Sequence, residues 1–388
     1  TTGHRPVVGA MEGTHADVAP ALRPGLAGHR EAERVGRGIG IEAADLYARL
    51  AADLRSDVTL GAGLREVDLD QASARRIDDI ELPNRPAVGA ALVGGATENL
   101  TPVINRIPPF KQGSPKPRGH GPHGEKWIIG SGRGQRLVQP IRSFPRVLAV
   151  QAFRVGDAAF IGLPFEVTIE SGRRIEDAVA KAVASEGVDR VIVSSVANDY
   201  WGYVTTPEEY RRQFYEGGHT IYGPRTQPFL AAHAASLAGE VVRRHSVSEV
   251  LAERRWDLAT RRFLPAPDGH VVTRRIVGSA SFTDPTDKVD GHWEITWDDV
   301  APGSLHWHEP MIRVEAADGE GAWAPARHDG RLVDDQGWDI EVTYLGAEGD
   351  GHRYRARWYD PAFRAGRRHR FVLLANAGQP EVASAPFD

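Results

Sequence analysis

The spacing of apolar residues changes near residue 250, and a single kind of layer cannot accommodate both patterns. Beyond it aromatic and polar residues alternate, in HWEITW at 292–297, WDIEVTY at 338–344, RYRARWY at 353–359 and RFVLL at 370–374. A period of two belongs to strands with one buried face. Seven of the nine tryptophans lie beyond residue 251, with Gly, Asp and Pro turns between the runs, so a β-sandwich is expected there. Earlier in the chain, short β-like runs at 5–10, 147–153, 158–163 and 190–196 interleave with helical stretches, the pattern of an α/β layered domain. Leu46, Leu50 and Leu54 recur every four residues, and Leu230, Leu237 and Val241 make a similar stripe after Pro228. Both predict helices lying on a sheet. A helix beginning near Ser171 would turn Ile175, Val179 and Val183 inward, which leaves Glu166 at a strand-to-helix turn, where catalytic groups are often carried. The boundary falls at 246–265, giving an α/β domain over 1–250 and a sandwich over 256–388, the latter expected to be immunoglobulin-like.

A chain of 388 residues with 41% hydrophobic and 26% charged residues has room for two cores. The net charge of −5 and the absence of a basic block argue against nucleic acid as partner. No run approaches the roughly 18 apolar residues of a membrane span, and TTGHRPVVGAMEG lacks the order of a signal peptide. With no cysteine, any metal must be held by histidine, carboxylate or tyrosinate.

Residues 198–226, NDYWGYVTTPEEYRRQFYEGGHTIYGPRT, are dense in tyrosine and turn-forming glycine and read as an active-site loop. Together with GLPFEVTIESGRRI at 162–175, this run resembles the signature of the neutral and alkaline ceramidases, zinc amidohydrolases that cut the N-acyl bond of ceramide. The resemblance implies that a zinc ion (Zn2+) is bound by two histidines from the first part of the catalytic domain together with a glutamate and a tyrosine. Glu166 of Pro-x-Glu and Tyr203 of Asn-x-Tyr-x-x-Tyr match the latter two. It further implies that Tyr215 hydrogen-bonds the oxyanion and that Tyr200 and His219 lie near substrate. Within the same run, Gly217 and Gly218 are expected to allow positive φ, and Thr205-x-x-Glu208 to cap a short helix.

Two departures from the family stand out. The segment THADVAPAL at 14–22 aligns with Gly-Asp-Val-Ser-Pro, so the family's essential serine falls on Ala19. The early histidine motifs do not appear, so the histidine ligands are expected from a preceding segment or a separate chain, with His4, His15 and His219 as local substitutes. Weaker metal candidates are the loop pair His120 and His123 in the Pro/Gly-rich stretch 108–126, expected to be a long surface loop, the pair His306 and His308 on one strand face, and the acidic turn Asp334–Asp335. The expected activity is amide hydrolysis of a ceramide-like lipid at a membrane or micelle surface, by a secreted protein on family analogy. The alternatives are a hydrolase of another amide or ester on the same fold, and an inactive lipid- or glycan-binding homologue marked by Ala19.

Overall fold

The computed structural model describes residues 11–21, 28–117, 119, 121–138, 144–251, 272–286, 289–319, 321–328, 330–337, 339–359 and 367–388. The chain divides into two compact units, Thr1–Ala19 with Leu54–Arg254, and Pro20–Asp53 with Arg255–Asp388.

The first unit is built on β1 (Leu60–Asp68), β2 (Val147–Val155), β3 (Ala158–Gly162), β4 (Arg190–Ser194) and β5 (Ser246–Glu249). They form one sheet in the order β4-β3-β2-β1-β5. β2 runs antiparallel to both β1 and β3, while β4 is parallel to β3 and β5 is parallel to β1. Three of the β-like runs are therefore β2, β3 and β4; the fourth, at 5–10, lies outside the described residues. Helices Ile169–Val183 and Thr226–Arg244 pack against each other and on one face of the sheet. The predicted stripes Ile175, Val179, Val183 and Leu230, Leu237, Val241 are all buried, in one core with Leu148, Val150, Ile161 and Val193. The second helix comes so close to β1 that a Cβ on Gly63 would lie 2.5 Å from Val241 Cγ2, which only glycine avoids. On the opposite face Ala62, Phe153, Phe160 and Ile192 stand abreast on four strands.

In the second unit the strands are β6 (Arg275–Thr283), β7 (His292–Asp299), β8 (Ile312–Ala317), β9 (Ala324–Pro325), β10 (Ile340–Glu348), β11 (Gly351–Trp358), β12 (Arg368–Leu373) and β13 (Val382–Ala383). They make two four-stranded sheets, β6-β7-β11-β10 and β9-β8-β12-β13, antiparallel throughout. Trp297, Tyr354 and Trp358 of the first sheet share a core with Ile312, Val314 and Phe371 of the second. From His352 onward β11 alternates: Tyr354, Ala356 and Trp358 are buried, while Arg353 and Arg357 on the other face bind Asp298 and Glu294 of β7.

Four expectations are corrected here. Residues 20–53 group with the second unit rather than with residues 1–250. Their helix, Gly28–Leu50, starts beside Asp290, and Leu46 and Leu50, with Leu54 beyond it, are exposed rather than laid on a sheet. His306 and His308 lie in a turn instead of a strand; their exposed rings stack 5.8 Å apart. The Asp334–Asp335 turn spends its carboxylates on backbone donors, since Asp335 Oδ1 accepts from the amides of Met311 and Ile312 and Asp334 Oδ1 from that of Gln336.

Candidate active site

Beyond β3 the chain passes through Leu163-Pro164-Phe165 to the two-residue strand Glu166–Val167, then enters helix Ile169–Val183, whose N-cap Thr168 accepts from the Ser171 amide. Beyond β4 it turns through Val196 and Asn198, both at positive φ, into the strand Tyr203–Val204. Gly202 makes the last bend at φ +79°, where a Cβ would meet the His219 carbonyl oxygen at 2.8 Å. The two short strands pair in parallel with Glu166 opposite Tyr203, fixed by Glu166 N–H to Gly202 O at 2.9 Å and Thr168 N–H to Val204 O at 3.0 Å. Register partners share a face, so the carboxylate and the phenol stand side by side.

Glu166 Oε1 accepts a 2.8 Å hydrogen bond from the Tyr200 hydroxyl, and the Tyr203 phenol is close enough to the same carboxylate to feel its charge. Burial first, and then this carboxylate, push both phenols above the usual tyrosine range, so both keep their protons. The Tyr215 ring meets that of Tyr203 edge-on at 5.4 Å. Burial raises its phenol too, with the Glu166 charge adding to the effect. His219 lies 5.2 Å from the Tyr203 ring, 6.2 Å from Tyr200 and 6.3 Å from Tyr215. Burial, followed by the Lys126 charge, holds its imidazole down to about 4, and its Nδ1 has no hydrogen-bond partner. Glu166, Tyr203, Tyr215, Tyr200 and His219, all expected at the site, thus come together. Ala19 is exposed and offers only a methyl group.

The segment before Ala19 reaches the same place. It is pinned by Ser195 N–H to Glu12 O at 3.0 Å and Ala16 N–H to Val167 O at 3.1 Å. Asp17 Oδ1 accepts from the Ile169 amide at 2.9 Å, a second cap on the helix that follows Glu166. His15 Nε2 then lies 3.1 Å from Glu12 Oε2 and 3.8 Å from Glu166 Oε2. His4 and His120 fall outside the described residues.

Behind the tyrosines the structure departs from expectation. The short helix Pro207–Arg212 is capped by Thr206 with Glu209, one residue later than expected, because Pro207 occupies its first turn and sets the cap one position before it. Gly217 and Gly218 have ordinary helical φ in Tyr215–His219. Gly89 is needed for close approach, since a Cβ on it would lie 2.8 Å from the Gly218 Cα, and one on Gly218 would lie 3.0 Å from the Leu92 nitrogen. The end of the 108–126 stretch is buried rather than a surface loop. Lys126 Nζ donates to Ala87 O at 3.0 Å and Thr220 O at 2.7 Å, and lies 5.1 Å from the centre of the Tyr210 ring. His123 Nε2 bonds Arg85 O at 2.9 Å. Sequence reasoning missed Lys126; the signal available was its place at the head of the apolar run Trp127-Ile128-Ile129. Beside it opens a groove of about 560 Å³ whose apolar walls include Phe110, Trp127, Ile128 and Ile129. Among the described residues no three His, Asp or Glu side chains group as a metal site.

Residues 86–232 match the family described as neutral/alkaline non-lysosomal ceramidase, N-terminal. Neutral ceramidase of Pseudomonas aeruginosa is 34% identical over 176 residues, covering 39% of this chain and 26% of that protein. Neutral ceramidase 3 of Arabidopsis thaliana is 41% identical over 110 residues, 27% of this chain and 15% of that one. The crystal structure of the Pseudomonas aeruginosa neutral ceramidase aligns with a TM-score of 0.58 at 19% identity, over 97% of this chain and 61% of that one. A ceramidase complexed with C2 aligns at 0.55 and 22%, over 84% and 54%. These likenesses bear out the mixed α/β fold; the matched segments amount to 26% and 15% of the two curated relatives. The 86–232 match encloses both short strands that bring Glu166 to Tyr203, so the likeness to neutral/alkaline non-lysosomal ceramidases falls on the segment that builds the site.

Proposed function

We propose that this chain hydrolyses an N-acyl bond, releasing a fatty acid and an amine from ceramide or a related N-acyl lipid. The observation that carries the reading is the pairing of Glu166 with Tyr203 across one parallel bridge, inside a ring of tyrosines. The residues present fit half of a tetrahedral zinc site: a carboxylate and a phenol, both oxygen donors, stand as register partners on one face of the short parallel pair. Such an ion, when bound, supplies an acidified water and a polarised carbonyl.

The remaining steps belong to the protein's own groups. Tyr200 grips Glu166 Oε1 and fixes the carboxylate plane. Tyr215, protonated, donates to the oxyanion as the amide carbonyl becomes tetrahedral. His219 is neutral well below pH 7, and its buried Nδ1 has no partner in the protein, so the ring adds no charge beside the tyrosines. The groove walled by Phe110 and Trp127 suits an apolar chain. On this reading the protein is secreted and works at a lipid surface. None of its described helices is long and apolar enough to cross a membrane. The histidine donors are supplied by another segment or chain or by local histidines such as His15 and His219, and the second unit is an immunoglobulin-like module. A second reading, a lipid-binding homologue without turnover, is favoured by Ala19, which cannot donate a hydrogen bond as a serine would.

The test is metal analysis of the purified protein together with release of fatty acid from a fluorescent N-acyl sphingosine. Glu166→Ala should lose both bound zinc and turnover. Retention of either by the variant overturns the assignment, while lipid binding without metal or turnover in the unaltered protein establishes the second reading.

A further inference from the structure

We propose that His15 is a metal donor internal to this chain, placing its Nε2 on the same ion as Glu166 and Tyr203. The inference rests on the zinc reading of that site. Its first support is the tautomer: His15 Nδ1 lies 3.0 Å from Gly13 O, and a carbonyl oxygen only accepts, so Nδ1 carries the hydrogen. In the neutral ring Nε2 then presents a lone pair. That lone pair faces two carboxylate oxygens, Glu12 Oε2 at 3.1 Å and Glu166 Oε2 at 3.8 Å. A ring nitrogen lone pair beside each of two carboxylate oxygens calls for a cation, either a proton on the ring or a metal ion.

Distance and support favour the metal. Two donors on a tetrahedral zinc with bonds of about 2.0–2.1 Å stand about 3.4 Å apart, close to the 3.8 Å between His15 Nε2 and Glu166 Oε2. Histidine ligands almost always donate their second ring N–H to a carbonyl or carboxylate, which fixes the ring and raises its basicity; Gly13 O does this here. The loop is anchored independently of the ring, by the Ala16 amide to Val167 O and by Asp17 to the Ile169 amide. His15 would thus put one imidazole where Glu166 and Tyr203 alone leave the donor set short.

Cobalt(II) binding to the full chain tests this without reference to turnover, by visible absorption and by competition with a chelator of known affinity. Loss of an outer-shell partner already costs metal affinity about 10–100-fold, so His15→Ala should weaken cobalt binding by at least about 100-fold and change the visible band. Glu12→Gln, which keeps the imidazole and removes its other carboxylate, should bind within about threefold of the unaltered protein. If His15→Ala binds cobalt within about tenfold of the unaltered protein, or Glu12→Gln weakens it as much as His15→Ala does, His15 is an ion-pair residue and the inference falls while the zinc reading stands. If the unaltered protein binds cobalt no better than Glu166→Ala, the zinc reading fails and takes this inference with it.

Discussion

A phenol donates to an oxyanion only while it keeps its proton, and Tyr215 keeps it because burial and the nearby Glu166 charge both oppose ionisation. On the proposed amide hydrolysis, replacing it with phenylalanine removes one donor aimed at developing charge, a loss typically of about 100-fold or more in kcat. Tyr215→Phe should therefore lower turnover by about that factor with KM little changed and the melting temperature kept, since the ring still packs edge-on against Tyr203. An unchanged kcat would remove Tyr215 from the chemistry. Tyr215 became a candidate through a resemblance spread over two segments; periodicity placed only Glu166, and only at a turn. Lys126 escaped because Pro and Gly around it read as solvent-exposed loop, whereas its ammonium is satisfied by two backbone carbonyls, at Ala87 and Thr220, from distant parts of the chain. Such contacts leave no local pattern to read. His15 was visible as a residue, but the lone pair aimed at Glu166 depends on the turn that folds it back on Gly13.

One carboxylate links the two helices flanking the site. Glu209 Oε2 accepts from the Thr206 amide at 2.8 Å, closing the capping box of Pro207–Arg212, and from the Thr168 hydroxyl at 2.8 Å, the cap of Ile169–Val183. Loss of the Thr206 side chain should cost about 1 kcal/mol, a typical N-cap. Glu209→Ala removes two hydrogen bonds to a charged acceptor and should cost about 2–3 kcal/mol. Glu208 is an exposed partner of Arg174, so Glu208→Ala should cost less than about 1 kcal/mol. Urea titration of the three variants checks the order; Glu208→Ala as costly as Glu209→Ala would return the box to Thr205 and Glu208. Residues 205–209, TTPEE, fit both registers, and only the start of the helix at Pro207 decides between them. The Gly28–Leu50 helix makes the same point from the other side. Its spacing shows an apolar stripe, but spacing cannot say which surface is there to meet it, and Leu46 and Leu50 are exposed.

Two periodicities became two hydrophobic cores, one under the helices of the mixed sheet and one between the two antiparallel sheets. That division was legible because burial on one face forces a period on every strand and helix that contributes to it; the placement of residues 20–53 was not, because nothing in their own pattern names the unit they join. Each unit should melt with its own core, and acid should separate them. His123 and His233, both in the first unit, are held down to about 4, in each case chiefly by burial; His233 has Arg65 as the nearest opposing charge and no partner on either ring nitrogen. Unfolding returns each ring to about 6.5. Between roughly pH 6.5 and 4 the unfolded chain therefore binds more protons than the folded one, so stability is complete above that window and falls as pH drops through it. The Arg65 guanidinium, paired with Glu240 and Glu249, keeps positive charge near His233 throughout. Calorimetry at pH 7 and pH 4.5 should show the first unit's transition moving down further than the second's. His233→Phe, which keeps a ring against Phe229 but cannot take up a proton, should recover part of that difference. A first-unit transition that shifts no more than the second's, or by the same amount in the variant, would mean that the ring finds water or a partner and that burial does not hold its proton off.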